Sequence, residues 1–391
     1  MPRPRLEVAD IITKHGKGFL KDRSLTRKQK AVLSAIKLCR TEKLGYHLDQ
    51  CTECSHKEIS YNSCRDRHCP KCQGAAQRQW VEKRTGQLLP VPYYHVVFTL
   101  PPGLFPFSLY NKELIYNLLF DSAASTLKDF GKDPQWLGGT LGFFGILHTW
   151  GQTLWHHPHV HFIVVGGALK ADGSWVSAKH KGSFLFPVNG VSKVFRGKFM
   201  KGLERALNKN EFIIPEDHNR SGHPWNQQHF LQSLTKRSWI VYCKSPFKKA
   251  EQVIRYIGRY THRVALNNSR LVSLEDGQVT FTYRDYKDNK RTKTMPLSAY
   301  DFLQRFLWHV LPEKFHRIRH YGFLANGVAQ ACCNKIRKKL GESSESQNKL
   351  PEQNKPFCKK CSEGIMVMLK LISPSGYLVI PGNRYGLENS T

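Results

Sequence analysis

Three sets of residues in this chain have the types and spacing for chemistry: His159-Val160-His161, the pair Tyr256 and Tyr260, and cysteines set out in C-x2-C pairs. In a strand, side chains alternate, so His159 and His161 share one face and Val160 points into apolar packing. Two imidazoles on one face can hold a divalent cation, although an H-x-H pair alone is more often ordinary. Spacing of four puts Tyr256 and Tyr260 on one helix face, a stripe that is usually core. Arg255, Arg259 and Arg263 ride the same helix, and that company suits a phosphate backbone. A tyrosine hydroxyl can attack phosphorus once a cation neutralises the phosphate.

Cys51-x2-Cys54 and Cys69-x2-Cys72 have fourteen residues between them, close to zinc-ribbon spacing. Four thiolates would close a tetrahedral site, structural in kind and with no open position. Cys64 and His68 are surplus to one site; they could replace a ligand, serve a second ion or pack. Arg65, Arg67 and Lys71 surround this module, as expected of a DNA-contacting surface. Cys358-x2-Cys361 is half a site, which Cys332 and Cys333 could complete. Cys39 and Cys243 have no motif and read as core.

The composition agrees with a polyanionic partner. Sixty Lys and Arg face thirty Asp and Glu, a net charge of +30, and the excess is spread along the 391 residues instead of forming one tail. With 40% hydrophobic residues, a packed core is within reach. No apolar run is long enough for a membrane helix, and the N-terminus reads as lacking a secretory signal. The expectation is a cytoplasmic, nucleoid-associated protein whose eleven cysteines serve metal and core in preference to disulfides.

These groups need a scaffold. Residues 1–25 read as irregular, and 26–40 as an amphipathic helix through Val32, Leu33 and Ile36. VPYYHVVFTLP (91–101) reads as a buried strand, and 141–153 and 159–169 as two more, joined by a turn at Trp155-His156-His157-Pro158. Helices are expected at 76–88, 111–130, 191–208, 248–262 and 298–307, a strand at 239–243, and a hairpin around Asp276-Gly277. Residues 341–357 read as a polar linker. The class is α+β: an antiparallel sheet covered by helices.

Taken in order, CRDRHCPKC, YYHVVFTLP, HTWGQTLWHHPHVHFIVVGG and YIGRYTHR, followed by Asn267, Asn268 and Arg270, resemble the two-tyrosine HUH transposases of rolling-circle insertion sequences. The likeness spans about residues 25 to 325. It implies an HUH-type palm sheet, Tyr256 and Tyr260 as nucleophiles, and Mg²⁺ or Mn²⁺ on His159 and His161. The partners it implies are single-stranded and hairpin DNA at element ends, and target DNA. The corresponding division is 1–90 for the N-terminal helix and zinc module, 91–310 for the nuclease and strand transferase, and 311–391 for a basic C-terminal region. A plasmid replication initiator or relaxase of the same chemistry, or a non-catalytic zinc-dependent DNA-binding relative, is the alternative.

For the third metal ligand the expectation is Gln152, seven residues before His159. A hairpin that pairs Gln152 with His159 would bring its amide oxygen to the ion. His148, of the same parity, and His95, on the neighbouring strand, are the rivals.

Overall fold

The computed structural model describes residues 6–85, 88–178, 185–216, 225–237, 239–244, 252, 258, 265–341, 357–374 and 378–379. The N-terminal stretch expected to be irregular instead forms helix α1, Val8–Asp22. Glu7 and Asp10 make a capping box at its start, and Val8, Ile11, Ile12 and Phe19 form its buried stripe. Lysines and two glycines dilute that stripe in the sequence. Helix α2, Arg27–Leu38, is capped by Thr26, whose hydroxyl accepts from Gln29 N at 3.2 Å, and buries Val32, Leu33 and Ile36 as expected. A hairpin, β1 (Tyr46–Cys51) and β2 (Lys57–Tyr61), and helix α3 (Gln73–Thr85) come next.

The apolar run at 91–101 is strand β3, Tyr93–Thr99. Helices α4 (Phe105–Tyr110) and α5 (Lys112–Lys132) lead to β4, Thr140–Trp150, and β5, His156–Leu169. Then come β6 (Trp175–Ser177), α6 (Val188–Asn208), α7 (Gln227–Thr235) and β7 (Val241–Lys244). A hairpin of β8 (Leu271–Glu275) and β9 (Gln278–Asp285) turns at Asp276 and Gly277, both at positive φ, and β10 (Arg291–Ser298) extends it. Ser298 caps α8, Ala299–Trp308. Last come β11 (Ile318–Gly322), α9 (Ala329–Lys339), β12 (Met366–Ile372) and β13 (Leu378–Val379).

The strands form three sheets, antiparallel in every described pair. The central one runs β11-β4-β5-β3-β7, with β6 beside β5; the others run β13-β12-β1-β2 and β10-β9-β8. The architecture is α+β, as the sequence suggested. One face of the central sheet, with Val96, Phe98, Val160 and Phe162, packs on α5 and α6 through Leu119, Phe120, Phe195 and Phe199. The other face carries Ile146, Ile163 and Val165 against Trp80 and Val81 of α3 and Ile336 of α9. A third cluster joins α1, α2 and α8 to β9. Among the described residues no helix is long and apolar enough to cross a membrane.

The β4–β5 connection differs from the expected one. The chain turns at 151–155, with Gly151 N donating to Trp155 O at 3.0 Å and Leu154 at φ 62°, while His156, His157 and Pro158 already belong to β5. A proline after two histidines suggests a turn. Here Pro158 lies where the ladder skips, between the pairs His148–His159 and Trp150–His156, so no strand hydrogen bond needs its missing N–H.

Candidate functional site

His159 and His161 lie on one face of β5, as the alternation predicts, beside Ile163 and against β4 and β3. His148 is the cross-strand partner of His159, and Ile146 that of His161. Paired residues share a face, so three imidazoles converge there. Ring centroids lie 4.3 Å (His148–His161), 4.8 Å (His159–His161) and 5.5 Å (His148–His159) apart. One ring nitrogen from each lies within 4.8 Å of the other two, a spacing that one cation can bridge.

The surroundings prepare these rings as ligands. His159 Nδ1 donates to the His157 carbonyl at 2.6 Å, which leaves its Nε2 lone pair for a cation. His161 Nδ1 lies 2.7 Å from Nε2 of His95, whose ring stacks on it at 10°. His95 therefore stands behind His161 and orients it. Burial, assisted by His157, pushes the His159 imidazole down to about 3. Burial, with Lys244, pushes His95 down to about 4, and burial holds His161 well below the usual range. His159 and His161 are thereby held neutral near pH 7, the form in which an imidazole can bind metal, and His95 behind them is neutral too.

Gln152 does not join them. The expected register is displaced by four residues, because the turn begins at Gly151. Gln152 lies in that turn, with its Oε1 accepting from Arg284 N at 3.3 Å and its carbonyl accepting from Arg270 Nη2 at 2.6 Å. Arg270 also donates to Thr282 O at 2.7 Å, so it ties the turn to β9. Asn268 accepts from Val8 N at 3.2 Å and fastens the start of α1.

Tyr256, Tyr260, Arg255, Arg259 and Arg263 lie outside the described residues. Gly258, between the tyrosines, is described: it is buried and helical, and a Cβ there would come 2.2 Å from Val81 Cγ2 of α3. Val81 packs in the same cluster as Ile146 and Ile163, on the histidine face.

The cysteines gather in two groups. Cys39, Cys64, Cys69 and Cys72 form one, with Cys39 and Cys64 Sγ at 3.1 and 3.5 Å from Cys72 Sγ. Cys51 and Cys54 meet Cys358 and Cys361 in the other. The single site of Cys51, Cys54, Cys69 and Cys72 is thereby corrected. The two C-x2-C pairs of the N-terminal region part, because β1 carries Cys51 to β12. Cys39, assigned to the core, is a member; it ends α2 and no motif marks it. Cys64 joins the first group, but His68 does not. Its Nδ1 lies 2.9 Å from Asp66 Oδ1, and its Nε2 accepts from Leu311 N at 3.3 Å. Cys333 lies on α9, buried in the cluster of Ile336 and Phe144 and in neither group.

Of the basic residues around this module, Arg65 is exposed. Arg67 turns inward, donating to the carbonyls of Phe315 at 2.7 Å and Pro312 at 3.0 Å. Lys71 pairs with Glu7 and donates to Cys39 O. Both hold the module to its neighbours. Lys193, Arg196, Lys236 and Arg237 line a cleft between α6 and the end of α7 that the sequence did not single out.

Residues 142–332 match the family described as "Putative transposase" (Y2_Tnp), and residues 11–100 match the transposase zinc-binding domain Zn_Tnp_IS91. The chain is 42% identical over 386 residues to "Putative transposase y4qJ" of Sinorhizobium fredii, covering 95% of this chain and 96% of the relative. It is 30% identical over 311 residues to the transposase for insertion sequence element IS801 of Pseudomonas savastanoi pv. phaseolicola, covering 77% and 72%. Among solved structures, the conjugative relaxase TrwC in complex with oriT DNA aligns in its metal-bound form with a TM-score of 0.26 at 11% identity, over 82% of this chain and 98% of that one. Its metal-free form gives 0.22 at 12%, over 64% and 72%. Structural overlap that low carries no functional weight.

Proposed function

Because this chain belongs to the IS91 family of rolling-circle transposases, we propose that it cleaves and rejoins single-stranded DNA at the ends of an insertion sequence. The observation that carries this reading is the convergence of His148, His159 and His161 on one sheet face.

The donor set fits a divalent cation: three converging imidazoles, one with its far nitrogen on a carbonyl and one backed by a second histidine. Imidazole suits Mn²⁺, and Mg²⁺ would bind more loosely, with waters and phosphate completing the shell. When bound, the cation withdraws charge from the scissile phosphate. The protein supplies the rest. Tyr256 or Tyr260 loses its hydroxyl proton and attacks phosphorus. The bond to the 3′ oxygen breaks, that oxygen takes up a proton, and a 5′-phosphotyrosine remains. The ester keeps the bond energy, so a 3′-hydroxyl of another strand can reverse the step without ATP. Two tyrosines would let one chain hold two 5′ ends.

The charge of +30 and the cleft of Lys193, Arg196, Lys236 and Arg237 support binding of single strands and hairpins through phosphate contacts. The first cysteine group lies within the zinc-binding-domain match, and we assign it one structural Zn²⁺.

The test is a denaturing gel of purified protein with a labelled single-stranded oligonucleotide from the element end and Mn²⁺. A fragment joined to the protein through its 5′ end is expected, with the other fragment released carrying a free 3′-hydroxyl. It should vanish in the Tyr256→Phe/Tyr260→Phe double variant, and persistence there would place the nucleophile elsewhere.

A further inference from the structure

The second cysteine group has one half, Cys51 and Cys54, inside the zinc-binding-domain match and the other, Cys358 and Cys361, beyond it, about 300 positions along the chain. Cys51 Sγ is 3.6 Å from Cys361 Sγ across 310 positions, and Cys54 Sγ is 3.7 Å from Cys358 Sγ across 304. A disulfide would need about 2.05 Å. Zinc with Zn–S bonds of about 2.3 Å sets its four sulfurs about 3.8 Å apart, which is the spacing found.

Both halves are built as metal knuckles. In the first, Glu53 N and Cys54 N donate to Cys51 Sγ at 3.4 and 3.5 Å, and Cys51 N donates to His56 O. In the second, Lys360 N donates to Cys358 Sγ and Gly364 N to Cys361 Sγ, each at 3.4 Å, and Cys358 N donates to Gly364 O. Amides aimed at sulfur favour the thiolate over the thiol. The halves also interlock: Thr52 N donates to Ile365 O at 3.0 Å, and Ile365 N to Thr52 Oγ1 at 3.1 Å. Gly364 stands where a Cβ would come 2.3 Å from Cys51 Sγ, so any larger residue would push the knuckles apart.

We propose that Cys51, Cys54, Cys358 and Cys361 bind a second structural Zn²⁺ that fastens the C-terminal strands to the N-terminal module. Four sulfurs leave no open position, so the ion is structural. It sits at the end of β1, where Cys51 pairs with Met366 of β12, and so fixes the register of the β13-β12-β1-β2 sheet. The segment after the 341–357 stretch is thus part of the N-terminal module, and the chain between the two knuckles, the histidine sheet included, becomes a loop closed by metal. This inference is independent of the cleavage reading; an inactive chain with two zinc ions would leave it standing.

The experiment is zinc content by elemental analysis, with X-ray absorption at the zinc edge, on the full-length chain purified under reducing conditions. Two zinc ions per chain and an all-sulfur shell averaging four are expected. Cys358→Ser/Cys361→Ser should retain one zinc, and so should Cys64→Ser by losing the other. One zinc in the unaltered chain, or two sulfur-bound zinc ions retained by the double variant, would overturn the proposal. If the double variant precipitates, the count and shell of the unaltered chain decide alone.

Discussion

His148 on β4 lies directly across the ladder from His159 on β5, and that pairing selects the third imidazole of the cluster. A bulge just beyond it, at Thr149 opposite His157 and Pro158, keeps His148 on the face of His159 and His161 and leaves Gln152 in the turn. On the proposed mechanism His148→Ala and His159→Ala should each therefore lower adduct formation by about 100-fold or more, as expected for loss of a ligand. Gln152→Leu should cleave with an unchanged Mn²⁺ requirement. Adduct yield against Mn²⁺ for the three variants checks this, and loss of cleavage in Gln152→Leu with His148→Ala active would reverse it.

His95 acts one step back, through Nδ1 of His161. An outer partner of a metal-bound histidine typically controls about 10- to 100-fold in metal affinity. His95→Ala should raise the Mn²⁺ concentration needed for half-maximal cleavage by about that factor and recover much of its rate when Mn²⁺ is saturating. A rate that stays low at saturation would mean that His95 touches the DNA or the ion itself.

Much of this was legible from local pattern. β3 and β5 were visible as β-branched runs, and α5, α6 and α8 as helical stripes whose Phe195, Phe199 and Leu203 are fully buried. The H-x-H pair needed only the alternation of one strand. What could not be read depended on partners far along the chain. Helix α1 was missed because its stripe is completed by α8: Phe19 meets Tyr300 edge-on at 5.6 Å. His148 needed the register, and Pro158 suggested the wrong turn. Cys39 carries no motif, and Cys51 finds Cys361 only through the pairing of β1 with β12. The lesson for Arg67 is similar: a basic residue beside a cysteine knuckle suggests DNA until its carbonyl partners at 312 and 315 are seen.

That difference is measurable. Arg67→Ala leaves two carbonyls short of a donor and should cost about 1–3 kcal/mol of stability, with the salt dependence of DNA binding unchanged. Arg65 is exposed, and Arg65→Ala should keep stability within about 0.5 kcal/mol. If Arg65 meets a phosphate, its removal lowers the slope of log affinity against log salt by about one. Urea melts and binding titrations at several salt concentrations separate the two residues. A reduced slope in Arg67→Ala with normal stability would contradict the inward assignment.

His309, outside the cluster of His148, His159 and His161, should make the fold acid-sensitive. It ends α8 and is fully enclosed, with its Nδ1 3.2 Å from Thr149 Oγ1 and its Nε2 donating to Leu154 O at 3.1 Å. Burial, against the partial restoring effect of the Leu154 carbonyl, pushes its imidazole down to about 3. In the unfolded chain the value is about 6.5. Between those values the unfolded state holds a proton that the folded state lacks, so stability rises with pH in that window. The contribution is complete above about 6.5, is lost as the pH falls toward 3, and at pH 5 the loss is about 2 kcal/mol for this one group. His309→Gln keeps a donor and an acceptor but cannot titrate. It should be less stable than the unaltered chain at pH 7, through imperfect replacement of the two bonds, yet lose less stability on going from pH 7 to pH 5, by about one histidine's worth. Because the unaltered histidine cluster is common to both chains, its own acid response cancels in the comparison. Urea melts of the two chains at pH 7 and pH 5 provide the test, and equal losses in both would show that His309 does not carry the effect.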